Sequence, residues 1–225
     1  MKPIQLFLSL LATVAVSMAE EKPDLNAALD LDDPAKVEER INGLIGRLAE
    51  LRAKAAPVEV KDYAFKTAEG ETSLSKLFGD RKKLLVIHNM GSGCNYCTLW
   101  ADGFNGILPH LKDAMAVVMV SSETPEVQAA FAKGRNWGFA MASHKDLPYT
   151  KEQTTLGEWA DNPGATVYEK IDGKIFLRNK CFFEPGDIYC SMWPLLGLAG
   201  IENKDWIPDF KYGPEGKAED KASAE

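Results

Sequence analysis

Apolar residues along this chain switch between two spacings, and the switches mark out its elements. Between residues 34 and 56, Val37, Ile41, Leu44, Ile45, Leu48 and Leu51 recur every three or four positions, which predicts an amphipathic helix. Asp33 and Pro34 supply an N-cap and a first-turn proline, and Pro57 ends the helix, while Gly43 and Gly46 weaken it in isolation. Residues 58–77 read as a short strand or hairpin turning near Glu69-Gly70, and one helical turn is expected around 73–78. LLVIHNM (84–90) and AMAVVMVSS (114–122) are dense in Leu, Val, Ile and Met, as in strands covered on both faces. A helix is predicted after each: TLWADGFNGILPHL after the first, and after the second a segment capped by Thr124 with Pro125 at its first position. A short strand is expected at 139–142, then mostly loop over 145–162 with a turn at 156–160. Asp172-Gly173 between alternating runs predicts a tight hairpin in 165–179. Beyond Pro185 a closing helix is expected, broken by Pro194 and Gly197, and residues 208–225 are polar enough to form a disordered tail.

The ends of the chain differ from its middle. Lys2 followed by the apolar residues 4–16, too short to span a bilayer, and Ser17-Met18-Ala19 have the make-up of a secretory signal cleaved after Ala19. An uncleaved anchor is the alternative, and Glu20 in place of Cys argues against a lipidated N-terminus. Residues 20–33 read as a linker, leaving residues 57–207 as one domain with a sizeable core. The expectation is a periplasmic or secreted protein with no stable membrane insertion once the signal is removed. A net charge of −7 with no basic cluster gives no reason to expect nucleic-acid binding.

The densest chemistry lies where the first buried strand ends. Gly91-Ser92-Gly93 turns the chain, and Cys94-Asn95-Tyr96-Cys97 opens the next helix. Unpaired amides and the positive end of the helix dipole favour an anion there, so the Cys94 thiol should ionise below its usual pKa of about 8.5. Two intervening residues allow a disulfide across one turn, with Cys94 the exposed attacker and Cys97 the resolving thiol. Other readings of the motif remain open. Four cysteines (94, 97, 181, 190) suffice for a zinc site, although Cys181 and Cys190 lack the spacing of zinc knuckles. A static disulfide at 94–97 would restrict little of the unfolded chain. A haem attachment needs His after Cys97, where Thr98 stands. A thiol peroxidase would want Thr and Pro at positions held by Gly91 and Ile87.

Strand, helix, strand, helix, antiparallel hairpin and final helix is the order of a thioredoxin-like α/β three-layer sandwich with a central mixed sheet, here with an added N-terminal helix and a C-terminal tail. A closer resemblance is carried by Pro57, Val58, Val60, Lys61, Tyr63 and Phe65, by His88 and Met90, and by Cys94, Cys97, Trp100, Asp102, Gly103 and Gly106. These match the P-x-V-x-K-x-Y-x-F, L-V-x-H-x-M and C-x-x-C-x-x-W-x-D-G-x-x-G patterns of the thioredoxin-like family catalogued as domain of unknown function 899 (DUF899). The chain resembles that family from about residue 48 to 176. The resemblance implies a thioredoxin-like fold and a dithiol–disulfide oxidoreductase, with no defined substrate. Three departures stand out: an export signal, the extra pair Cys181 and Cys190, and Pro163-Gly164 where many thioredoxin-like proteins place a cis-proline before the strand facing the cysteines.

Several neighbours invite a role at this site. His88 either sits under the active helix and favours the Cys94 thiolate or is a hydrogen-bonded core histidine. Trp100 and Phe104 read as core before substrate platform. Asp102 either takes the Cys97 proton or bonds its surroundings. Cys181 and Cys190 flank FFEPGDIY, and in an exported chain they are expected to form a stapling disulfide. The function expected is thiol–disulfide exchange with a disulfide- or dithiol-bearing client protein and a separate redox partner, without cofactor or metal. The competing class is a non-enzymatic binding module whose cysteines are all structural.

Overall fold

In the computed structural model, residues 33–212 are described. The expected signal and most of the linker lie outside them, as does the end of the tail. The chain divides into two units, residues 1–50 and 51–225. What is described of the first is most of helix α1, Pro34–Lys54. Asp33 caps it as the sequence predicts, its Oδ1 accepting from the Ala35 amide at 2.9 Å.

The second unit is built on one eight-stranded sheet. Its strands in chain order are β1 (Val58–Val60), β2 (Ala64–Thr67), β3 (Gly70–Ser73), β4 (Lys83–His88), β5 (Ala116–Ser121), β6 (Ala140–Ser143), β7 (Gly164–Ile171) and β8 (Lys174–Phe182). Between them run α2 (Leu74–Leu77), α3 (Asn95–Gly106), α4 (Leu108–Ala114), α5 (Pro125–Gly134) and α6 (Pro148–Gln153), and α7 (Met192–Leu198) follows β8. The spatial order is β1-β8-β7-β4-β5-β6-β2-β3. Strands β4, β5 and β6 are parallel, whereas β7 runs antiparallel to β4 and β8 antiparallel to β7. The run β8-β7-β4-β5, with a helix leaving β4 and another leaving β8, is the thioredoxin-like arrangement. Asp172 and Gly173 both take positive φ (50° and 80°), which gives the β7–β8 hairpin its tight turn.

The two-residue period of β4 assigns its side chains to opposite layers. Leu84 and Val86 join Phe65, Leu74, Val118, Val120, Tyr149 and Tyr168 in one core cluster. Ile87 and, less deeply, Leu85 join Trp100, Ala101, Leu108, Met119, Phe183 and Trp193 in the other. The second cluster lies on the face that carries α3, α4 and α7.

Four local expectations change. The helix after β4 breaks at Ile107, and α4 begins with Pro109 in its first turn, where no amide hydrogen bond is lost. Residues 148–153, expected as loop, form α6, again opened by a proline. Pro194 and Gly197 do not break α7: Pro194 sits in its first turn. The described chain continues through Tyr212, and Pro208, expected to begin the tail, is buried.

Gly164 begins β7, pairing with His88 on one side and Phe182 on the other. A β-carbon there would overlap the Cys181 carbonyl oxygen and come within 3.1 Å of Phe182 Cα. Both obstacles are backbone in a central strand pair, so neither yields cheaply. Gly164→Ala should therefore cost roughly 1–3 kcal/mol, the usual penalty of overpacking. A urea titration reads this, and an unchanged midpoint would contradict it.

Candidate active site

Strand β4 delivers the chain to a loop pinned at three points. Asn89 is buried, and its Oδ1 accepts the Gly91 amide at 2.7 Å while its Nδ2 donates to the Cys97 carbonyl at 3.3 Å. The Asn89 amide itself donates to the Val120 carbonyl of β5 at 2.9 Å. Ser92 donates through both its amide (3.0 Å) and its hydroxyl (2.6 Å) to Glu123 Oε1. Gly91 has a φ of +110°, and a β-carbon on it would come 2.7 Å from Glu123 Cδ. The positive φ favours glycine there, and a β-carbon would also push the Glu123 carboxylate away from Ser92.

Cys94 is the N-cap of α3, with extended backbone (φ −103°, ψ 104°). Its sulfur accepts the Cys97 amide at 3.0 Å, and its carbonyl accepts the Thr98 hydroxyl at 2.9 Å. Cys94 and Cys97 are joined as a disulfide, with Cα atoms 5.2 Å apart. Cys97 is only 3% exposed and Cys94 is half-buried, so Cys94 is the more exposed of the pair. The backbone places a hydrogen-bond donor and the helix N-terminus against that same sulfur.

The remaining predicted residues separate into structural roles. Trp100 is core: its ring stacks on Phe183 (5.4 Å between centroids), and its indole N–H donates to Asp187 Oδ1 at 3.3 Å. Phe104 also packs on Phe183. Asp102 lies five residues beyond Cys97, about 140° around the helix, and its carboxylate is taken up elsewhere. It accepts two bonds from the Arg135 guanidinium and one from Trp137 Nε1 at 2.7 Å, tying α3 to the end of α5. Pro163 has a trans peptide bond, since no cis bond occurs among the described residues. Its carbonyl accepts the Phe183 amide at 2.9 Å.

His88 does not sit under α3. By the alternation of β4 it shares the face of Leu84 and Val86, and its Nε2 meets the Tyr149 hydroxyl at 2.8 Å. Burial, with smaller effects from His144 and Lys180, pushes its pKa down to about 3. A neutral imidazole on the far side of the sheet gives a thiolate no cationic partner. It starts instead a buried hydrogen-bonded chain through Tyr149, Tyr168, Gln153 and Tyr63 to Glu152, which Lys61 holds from the surface. Lys61, Tyr63 and His88, three residues of the sequence patterns, all belong to it.

Cys181 and Cys190 are free thiols, not the expected disulfide. The turn between them is organised by the Asp187 carboxylate, which accepts the amides of Glu184 (3.2 Å), Tyr189 (2.9 Å) and Cys190 (3.2 Å) besides the Trp100 indole. That knot holds the turn between β8 and α7 together and fastens it to Trp100 of α3. Cys181 points instead to the Ala165 carbonyl of β7 at 3.7 Å, while Cys190 is buried in the cluster with Trp193. Burial pushes both thiols up, which keeps them protonated. Among the described residues, no group of three or more His, Cys, Asp or Glu comes together as a metal site.

The residues that sequence reasoning missed are Asn89, Glu123 and Asp187. A polar residue between a buried strand and a Gly-Ser-Gly turn was the available signal for Asn89. Nothing local marks Glu123 or Asp187, whose partners include Ser92 and Trp100, far away in sequence.

A family model described as a bacterial protein of unknown function (DUF899) matches residues 36–202. No curated protein matches the chain. Among solved structures, it is similar to reduced Prx3 from Vibrio vulnificus, with 16% identity and a TM-score of 0.48 over 64% of this chain and 98% of that one. It is similar to the peroxidoxin BcpB from Mycobacterium tuberculosis, with 18% identity and a TM-score of 0.43 over 56% and 84% of the two chains. A putative protein disulfide isomerase from Bacteroides thetaiotaomicron gives 17% identity and a TM-score of 0.42 over 56% and 77%.

The burial of His88 carries a pH dependence with a definite sign. Unfolded, His88 takes up a proton near pH 6.5, whereas folded it stays neutral down to about 3. Below the unfolded pKa the unfolded state binds the extra proton, so stability falls as pH drops through that window and levels off beneath it. The slope is about 1.4 kcal/mol per pH unit for each such histidine. Burial also lowers the pKa of His144, which adds in the same direction. Urea titrations of His88→Gln between about pH 6 and 4 should show a slope shallower by about one proton. An unaltered slope would contradict the assignment.

Proposed function

The chain belongs to the bacterial family DUF899, and we propose that it is a thiol–disulfide oxidoreductase that acts through Cys94 and Cys97. The observation that carries the reading is the Cys97 amide directed at the Cys94 sulfur on the N-cap of α3, with Cys94 the more exposed of the pair. A helix N-terminus stabilises a thiolate without any ionised side chain. His88 is not needed for this, and Asp102 is committed to Arg135 and Trp137.

In the reductive direction the Cys94 thiolate attacks one sulfur of a client disulfide. The Cys94–client bond forms, the client's own S–S bond breaks, and the departing thiolate takes a proton from solvent. Cys97 then gives up its proton and attacks the Cys94 sulfur, which restores the 94–97 disulfide and releases the second client thiolate. Two electrons pass from the dithiol to the client, and a separate reductant must return them. The oxidative direction is the same sequence reversed, and the potential of the pair selects between them. No metal or cofactor enters.

We place the activity outside the cytoplasm, in the periplasm or medium. The support is Lys2, the apolar residues 4–16 and the small residues before Glu20. Clients are proteins or small molecules bearing disulfides or dithiols.

In the reduced protein Cys94 should alkylate ahead of Cys97 at mildly acidic pH. Cys94→Ser should abolish reduction of insulin by dithiothreitol through this chain, whereas Cys97→Ser should accumulate mixed disulfides. Alkylation of Cys97 first would reverse the two roles. A 94–97 bond that mild dithiothreitol leaves intact would favour the non-enzymatic binding module instead.

A further inference from the structure

The chain that follows α7 returns to the redox helix. Trp206 sets its ring edge-on to Trp193 of α7, at 6.2 Å between centroids. Two residues on, the carbonyl of buried Pro208 accepts a hydrogen bond from Asn95 Nδ2 at 2.5 Å. Asn95 is the residue directly after Cys94. Two residues further, the Phe210 carbonyl accepts from Arg135 Nη1 at 2.8 Å, and the Phe210 ring stands edge-on to Phe131 of α5. The same guanidinium holds Asp102 of α3. Asn95 and Asp102 are seven residues apart, two helical turns, and so lie on one stripe of α3. The segment therefore passes from α7 to α5, touching α3 directly at Asn95 beside the C-x-x-C and, through Arg135, at Asp102.

The way it is held resembles the binding of an extended peptide. Side-chain N–H groups of Asn95 and Arg135 reach two of its main-chain carbonyls, a mode indifferent to the side chains between them. Ile207, between the first aromatic anchor and Pro208, is 66% exposed. Asp209 shapes the turn locally, its Oδ1 accepting the Phe210 amide at 2.6 Å and its own amide donating to the Tyr212 hydroxyl at 3.0 Å. Net of solvent competition such bonds contribute modestly, the one from the charged Arg135 guanidinium more than the one from Asn95. The segment lies wholly beyond residues 36–202, where the family model matches.

We propose that Trp206–Phe210 is a displaceable strap that sets the substrate class of the site. Seated, it fills the place a protein client's backbone would take beside Cys94, leaving the half-buried Cys94 open to small disulfides. Protein clients react once they displace it. The proposal rests on the redox reading of Cys94 and Cys97.

The test compares two substrates, insulin and cystine, each reduced by dithiothreitol through the full-length chain. The variant Pro208→Gly with Phe210→Ala loosens the strap without touching α3. Losing one or two ordinary contacts from the closed state should raise the insulin rate about fivefold, with the cystine rate unchanged within about twofold. Asn95→Asp, which exchanges the donor facing the Pro208 carbonyl for an acceptor, should raise the insulin-to-cystine ratio in the same direction. Reading the ratio removes whatever change in the cysteine pair's reactivity the two substrates share. Circular dichroism melts establish that each variant folds, and either one alone decides. A ratio that stays constant, because both rates move together or neither moves, overturns the strap and leaves the redox reading in place. Should the unaltered chain reduce neither substrate, the redox reading fails and the strap proposal with it.

Discussion

One backbone amide organises the chemistry of this protein: the N–H of Cys97, aimed at the sulfur of Cys94. It is aimed there because Cys94 caps α3 with extended backbone, so the first turn of the helix opens toward that residue. The cap in turn depends on the loop before it. Asn89 fastens the end of β4 to both the Gly91 amide and the Cys97 carbonyl, and Glu123 draws Ser92 toward the end of β5. Two adjacent parallel strands thus fix where the cysteine-bearing turn begins. Neither fastening places a formal positive charge beside the sulfur, whose ionised form the backbone dipoles at the helix N-terminus favour.

The sheet divides the molecule into a face that carries the cysteine pair and a buried polar face. On the first, Trp100, Phe183 and Trp193 pack under α3 and α7, and Asp187 takes the Trp100 indole into the turn that joins β8 to α7. On the second, His88 begins a hydrogen-bonded series through three tyrosines to the Lys61–Glu152 pair. A network in which most members are satisfied specifies one packing arrangement at some cost in pH range. Its opposite placement explains how His88 lies six residues from Cys94 yet takes no part in its electrostatics.

Much of this was legible in the chain. The buried runs of β4 and β5, the Asp-Gly hairpin and the proline opening α5 gave the element order, and the order gave the fold. The position of Cys94 followed from a strand meeting a Gly-Ser-Gly turn. What was hidden depends on partners distant in sequence. Asp102 meets Arg135, and Asn95 meets Pro208 across more than a hundred residues. Asp187 organises the turn between Cys181 and Cys190, and a lone Asp after Pro-Gly carries no mark of that. The side of His88 was in principle readable from the two-residue period of β4, had Leu84 and Val86 been known to face away from α3. Pro208 reads as the start of a tail because its hydrogen-bond partner, Asn95, lies 113 residues away in the chain.

The central claim is that the helix N-terminus alone activates Cys94. The direct measurement is the pH dependence of Cys94 alkylation in reduced Cys97→Ser protein, with Cys181 and Cys190 replaced by Ala, alongside the same chain carrying His88→Gln. The account predicts a midpoint clearly below the ordinary thiol value of about 8.5, unmoved by the His88 change. A midpoint at the ordinary value, or one that shifts when His88 is replaced, would contradict it.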